Sequence, residues 1–167
     1  KFNDHNNTEA HKSCWKYKKL CNKFKLNSQI LEDDNKINSN IEILIINSFG
    51  VLQKYFEYCD NVFVGKSMIK KLKSVGGQNP IEAAKSGCRI YHGPYIYNFV
   101  EIYNLLKSYN ITEEIENSNT LGERLIKSLK NKKKIEKKQI NQLNAYGNKI
   151  LKNTVNKLNN IINNENF

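Results

Sequence analysis

Two prolines, two arginines, one methionine and one tryptophan are all that this 167-residue chain holds of those residue types. Each scarcity excludes something. With only Arg89 and Arg124, the bidentate guanidinium contacts that nucleic-acid readers depend on are mostly missing, and no RNA- or DNA-binding motif replaces them. The net charge of +11 is therefore almost wholly lysine; asparagine is as abundant as lysine, and the two read as coding bias as much as selection. That field still favours anionic partners such as nucleotides, phosphorylated lipids or an anionic membrane surface, while nucleic acid is not expected. The cysteines Cys14, Cys21, Cys59 and Cys88 form no C-x-x-C pair, and His5, His11 and His92 have no ligand spacing. Neither a metal site nor a disulfide framework is expected, and free thiols suit a cytoplasmic location. No apolar run approaches the ~20 residues that cross a bilayer. There is no signal peptide, and a start at Lys1 without Met suggests a trimmed or partial chain.

What is present is concentrated. Both prolines and six of the eight glycines lie between Gly50 and Pro94, where backbone geometry is dictated rather than chosen. Around that block, strands and helices alternate. Helical spacing runs from Thr8 to Phe24, and a short strand is predicted at Ser28 to Leu31. The run Ile41 to Ile46 reads as a strand buried on both faces, with Asn47-Ser48 capping a helix from about Phe49 to Tyr58. Further strands are predicted at Asn61 to Gly65 and Cys88 to Tyr91, with an edge strand at Ile111 to Ile115. Helices are predicted from Pro80 to about Gly87, from Asn98 to Tyr109 and from Thr120. From Lys132 onward a long amphipathic helix is expected, fraying after Asn159. The fold class is thus α/β, a parallel Rossmann-like sheet flanked by helices with a long C-terminal helix. The domain division is an α/β domain over residues 1–130, incomplete at its N-terminus, and a Lys/Asn-rich helical extension over residues 131–167.

In parallel sheets ligands bind beyond the carboxyl ends of the strands. Gly65, Ser67, the segment Gly76 to Glu82 and the segment Gly93 to Asn98 all follow predicted strands, so they converge on one rim. Gly76 and Gly77 allow close backbone approach. Asn79 suits an N-cap, Pro80 the first helical position and Glu82 the third, and a helix N-terminus offers free N–H groups to an anion. Glu82 has two readings: an acceptor for ribose hydroxyls, or the far half of a capping box with Asn79. Asn98 with Glu101 reads better as a cap, and His92 better as a turn residue than as an acid or base. No P-loop or dinucleotide fingerprint is present.

Four segments in order, Asn47-Ser48-Phe49-Gly50, Asn61-Val62-Phe63-Val64-Gly65-Lys66-Ser67, Gly76-Gly77-Gln78-Asn79-Pro80-Ile81-Glu82 and His92-Gly93-Pro94 with Asn98-Phe99, resemble the C-terminal, donor-binding half of lipid A 3-deoxy-D-manno-octulosonic acid (Kdo) transferases. The resemblance covers about Ile41 to Ser108. It implies the GT-B architecture, CMP-Kdo as donor, no metal or other cofactor, and a lipid A precursor as acceptor at the cytoplasmic face of the inner membrane. It places the nucleotide sugar at Gly76, Gly77, Gln78, Asn79 and Glu82, at the turn Gly65, Lys66 and Ser67, and at Gly93, Pro94 and Asn98.

Lys66 stands where the family has a second glycine, and the loop from Ser67 to Gly76 is longer and richer in lysine than the family's. No counterpart of the acceptor-binding half, with its catalytic carboxylate, is recognisable, so no catalytic residue is expected in this chain. The leading expectation is a donor-binding glycosyltransferase domain acting in lipopolysaccharide synthesis. The alternative is a non-catalytic remnant of that fold that binds a nucleotide sugar or a partner.

Overall fold

The computed structural model describes residues 7–31, 36–48, 50–131 and 135–164. The chain divides into two compact units, Lys1–Val51 and Leu52–Phe167.

The first unit holds helix α1 (Asn7–Lys23) and strands β1 (Ser28–Leu31) and β2 (Ile43–Ile46). The strands pair in parallel, from Ser28 opposite Ile43 to Leu31 opposite Ile46. Side chains close the crossover between them. Asn27 donates its amide N–H to Glu42 at 2.8 Å, while Gln29 donates to the Lys36 carbonyl and accepts from the Asn38 amide. The Ile41 run is thus a strand with β1 as its neighbour, but it is not buried on both faces. Ile43 is exposed and the other three residues of β2 are half-buried. The two strands and one helix among the described residues of this unit leave too little to cover both faces of a sheet.

The second unit carries α2 (Leu52–Phe56), β3 (Asn61–Phe63), α3 (Ile81–Lys85), β4 (Arg89–His92), α4 (Val100–Ser108), β5 (Thr112–Glu114), α5 (Ser118–Asn131) and α6 (Lys137–Asn164). Its sheet runs in the order β3-β4-β5, all parallel, with Phe63 opposite Tyr91 and Tyr91 opposite Glu113. The α/β class, the parallel pairing, the edge position of β5 and the long last helix agree with the sequence reading.

Several boundaries differ, each for a local reason. α2 starts at Leu52, too far along for Asn47-Ser48 to cap it; Phe49 lies outside the described residues. α4 starts after a short 3-10 turn at Tyr97–Phe99, and no side chain caps it, so Asn98 is not its N-cap. α5 is capped by Asn117, whose Oδ1 accepts the amides of Asn119 and Thr120 at 3.0 Å, rather than opened by Thr120. The long last helix starts at Lys137 rather than Lys132, with Lys132–Lys134 outside the described residues, and it continues past Asn159 to Asn164.

The core sits beneath β4. Ile90, Leu106 and Ile111 are wholly buried, with Cys88 and Tyr103 beside them and Leu143 arriving from α6. Ala83 and Ala84 are small enough to bring α3 close to this cluster. The α3 chain reverses at Gly87, in the left-handed region with φ +86, where glycine carries no Cβ penalty. Cys88 then donates its thiol to the Phe56 and Cys59 carbonyls, fixing the exit of α2 to the entry of β4. Past Leu143, α6 shows Ile150, Leu151, Val155, Leu158, Ile161 and Ile162 exposed along one stripe. No helix among the described residues is long and apolar enough to cross a membrane.

Truncating Leu106 to Ala deletes a fully buried side chain and is expected to cost about 3 kcal/mol. Gly122 in α5 has open space around a built Cβ, so Gly122→Ala should gain up to ~1 kcal/mol of helix propensity. Urea unfolding of both variants, read by circular dichroism, checks the pair.

Candidate functional site

The turns after β3 and β4 are locked together. Ser67 is fully buried; its hydroxyl donates to the Val64 carbonyl at 2.6 Å and accepts the Gly93 amide at 2.8 Å. The Ser67 carbonyl in turn accepts the Tyr95 amide at 2.8 Å, and the Val64 amide donates to Tyr91 at 2.9 Å. A Cβ at position 93 would overlap Met68 and the Ser67 carbonyl, so only glycine permits this approach. At Gly76 a Cβ would lie 2.6 Å from the Tyr95 carbonyl and 2.8 Å from that of Leu72. Gly77 has φ +83 and lies against Ile96. Three glycines thus bring three loops into contact.

That packing settles what each motif residue can offer. Ser67 has both hydrogen-bonding functions of its hydroxyl spent inside the protein, so it shapes the turn and presents no side chain to a ligand. Gly76, Gly77 and Gly93 are buried wall. Gly65, Lys66, Gln78, Asn79, Glu82, Pro94 and Asn98 are exposed. Of these, Gly65, Gln78, Asn79 and Glu82 line one groove of about 400 Å³ beyond the end of β3, whereas Lys66, Pro94 and Asn98 do not. The groove floor is apolar, built from Leu52, Phe56, Val62, Phe63 and Pro80, and Glu82 is its one ionisable side chain among the described residues.

The helix behind the groove is shorter than the capping signals suggest. α3 spans five residues, and its Ile81 amide is already taken by Asn79 Oδ1 at 3.0 Å. Pro80, not Asn79, is the N-cap of α3 and has no side-chain cap, so Glu82 falls at the second helical position; Asn79 only closes a local turn onto Ile81, and one and a half turns sum little macrodipole. Charge stabilisation at this rim falls to side chains, and the loop after β3 carries the exposed set Lys66, Lys70, Lys71 and Lys73. Lys66 adopts φ +64, a left-handed conformation that glycine takes freely and lysine does not. The geometry explains why glycine suits the middle of this turn.

Two residues stand behind the rim, Tyr103 and His92, and His92 is the turn residue that the sequence suggests. Tyr103 of α4 is buried and donates its phenol to the Gln78 carbonyl at 3.0 Å, holding the groove-lining segment from below. Burial pushes its ionisation well upward, so the phenol stays a donor. Its ring stands 4.4 Å from that of His92 at 53°. His92 is buried, and its Nδ1 lies 2.7 Å from the Gly93 carbonyl; a carbonyl only accepts, so Nδ1 carries the proton. Burial lowers its ionisation below the ordinary 6.5, with the Gly93 hydrogen bond and Glu114 opposing. His92 is a structural residue of the β4 turn. In sequence, Tyr103 showed only as one member of an apolar helix face, and the i, i+4 pair Leu52 and Phe56 was the sole hint of the groove floor.

The sequence matches no protein-family profile and no curated protein. Among solved structures, the fold is similar to the C-terminal CMP-Kdo binding domain of WaaA from Acinetobacter baumannii, with a TM-score of 0.64 over 84% of this chain and 68% of that one, at 19% identity. At that identity the likeness establishes the fold, that of a GT-B C-terminal half.

Lys66→Gly relieves the left-handed lysine and is expected to stabilise the protein by about 1 kcal/mol, seen as a higher urea midpoint at unchanged slope. A second expectation concerns acid. Below pH 6.5, the ordinary value, the unfolded chain takes up a proton at His92 that the folded chain resists, because its folded value is lower. Stability from this group is therefore complete above pH 6.5 and lost as pH falls through the folded value. His92→Gln should flatten that part of the pH–stability profile.

Proposed function

We propose that this chain is the donor-binding half of a Kdo transferase-like glycosyltransferase, with CMP-Kdo held in the groove at the end of β3. One observation carries the reading: the groove gathers Gly65, Gln78, Asn79 and Glu82, which come from two of the four motif segments, over an apolar floor. A nucleotide needs both features, an apolar seat for the base and a hydrogen-bonding edge for the ribose. Phe63, partly exposed at the groove, offers a face for the pyrimidine. Glu82 accepts from the ribose hydroxyls. Lys66 and the lysines at 70, 71 and 73 meet the phosphate and the sugar carboxylate, and stabilise charge on the departing CMP. The likeness to a CMP-Kdo binding domain supports the same reading.

The chain's described residues supply no acid–base pair at the groove. Activation of the acceptor hydroxyl, on a lipid A precursor, is therefore assigned to a carboxylate from an acceptor-binding half. An anionic bilayer as the working surface is supported by α6, which carries five lysines and no acidic residue beside its apolar stripe.

Calorimetric titration of the folded chain with CMP at low salt tests the donor site. Saturable binding, weakened about 10- to 100-fold in Glu82→Ala, is the expected outcome, because a charged hydrogen-bond acceptor is worth roughly 1.5–3 kcal/mol. Absence of CMP binding by the folded wild type overturns the reading.

A further inference from the structure

Both arginines of the chain line one pocket, and it is not the groove. Along β4, Ile90 and His92 face the core helices, so Arg89 and Tyr91 face the other way, toward α5. There they meet Arg124, Lys127, Ser128 and Asn131 across a cavity of about 190 Å³. Arg89 opens β4 and Asn61, its partner in register, opens β3. The pocket thus lies toward the amino ends of strands whose carboxyl ends carry the nucleotide rim.

The charges in it do not cancel. Arg124 Nε pairs with Glu113 at 2.7 Å. Arg89 is half-buried and has no carboxylate within ion-pair distance among the described residues, and neither has Lys127. Three cations face one carboxylate, leaving an excess of two positive charges. A partly desolvated guanidinium without an acid is unusual, since such groups are ordinarily paired. Two hydroxyl-bearing residues complete the lining, and the proton of one, Ser128, is already spent inside the protein. Tyr91 is 2% exposed and lines the pocket beside Ser128, which donates to Asn61 Oδ1 at 2.8 Å. Burial raises the ionisation of Tyr91, so its phenol remains neutral.

We propose that this pocket binds a phosphate group, as the free dianion or as a small phosphomonoester, with Arg89 and Lys127 as its principal ligands. The planar guanidinium fork matches two phosphate oxygens at once. The excess charge of two equals that of the dianion. The volume is below the ~300 Å³ at which sites for whole cofactors begin, which excludes a nucleotide and admits a phosphate with a short substituent. The site is independent of the donor reading, since none of its residues lines the groove.

Calorimetric titration of the full chain with inorganic phosphate, at constant ionic strength set with chloride, tests this. Saturable binding is expected, weakened at least tenfold in Arg89→Ala and several-fold in Lys127→Ala, and unchanged in Glu82→Ala. Lys127 is exposed, so its variant folds and decides the matter should Arg89→Ala prove unstable. A parallel titration with glycerol phosphate separates the sources: tighter binding than phosphate supports an ester ligand, weaker binding supports the free ion. Three results would overturn the proposal: no saturation by either compound, phosphate binding untouched by Lys127→Ala and Arg89→Ala, or phosphate binding lost in Glu82→Ala or Lys66→Ala instead.

Discussion

The hydroxyl of Ser67 holds the second unit's working end together. It sits between the Val64 carbonyl and the Gly93 amide, and through them ties the turn after β3 to the turn after β4. A buried hydroxyl with both functions satisfied is worth keeping, because leaving either partner unpaired costs on the order of 1–3 kcal/mol. Around this bond the other constraints fall into order. Gly93 must lack a side chain for the turns to meet, Tyr95 bonds to the Ser67 carbonyl, and Gly76 packs on Tyr95. The segment that follows, Gln78 to Glu82, then stands at the groove with Tyr103 bracing it from below. Rim geometry is thus set by backbone contacts through glycine and one serine, and ligand chemistry is left to the few side chains that remain exposed.

The same three strands serve two ends. At the carboxyl end the groove is apolar with one carboxylate, which suits a nucleoside. Toward the amino end the pocket under α5 is polar and carries a net positive charge, which suits an anion. The alternation of β4 separates its two faces: Ile90 and His92 join the core, Arg89 and Tyr91 turn toward α5. A chain with twenty-seven basic residues and only two arginines places both of those in this one pocket, where planar bidentate geometry matters, and spreads lysine elsewhere, where a solvated point charge suffices.

Much of this was legible in the sequence, and what escaped did so for physical reasons. Strand β1 falls at Ser28 to Leu31 as its β-branched and apolar pattern implies, and α3 turns at Gly87 because the left-handed position there needs no Cβ. The parallel pairing follows from alternating strands and helices, whereas the order β3-β4-β5 rests on contacts between strands that the sequence pattern does not specify. Asn98 misled because an Asn followed by Glu three residues on resembles a capping box, whereas a 3-10 turn at Tyr97–Phe99 leads into α4 without any cap. Ser67 resembled a ligand contact in sequence; only the approach of Gly93 shows that its hydroxyl is spent inside. The pocket at Arg89 left no mark at all, since Arg89 and Arg124 are thirty-five positions apart and meet only when α5 folds back over the sheet.

Amide hydrogen exchange at Gly93, in wild type and in Ser67→Ala, is the most direct measurement of the lock on which the rim depends. Gly93 should exchange as slowly as the ladder amides of Ile90 and Tyr91 in wild type, and should lose that protection selectively in Ser67→Ala while the α4 amides keep theirs. A Gly93 amide that exchanges at the rate of an exposed loop, or one indifferent to removal of the Ser67 hydroxyl, would contradict the claim that this bond builds the site.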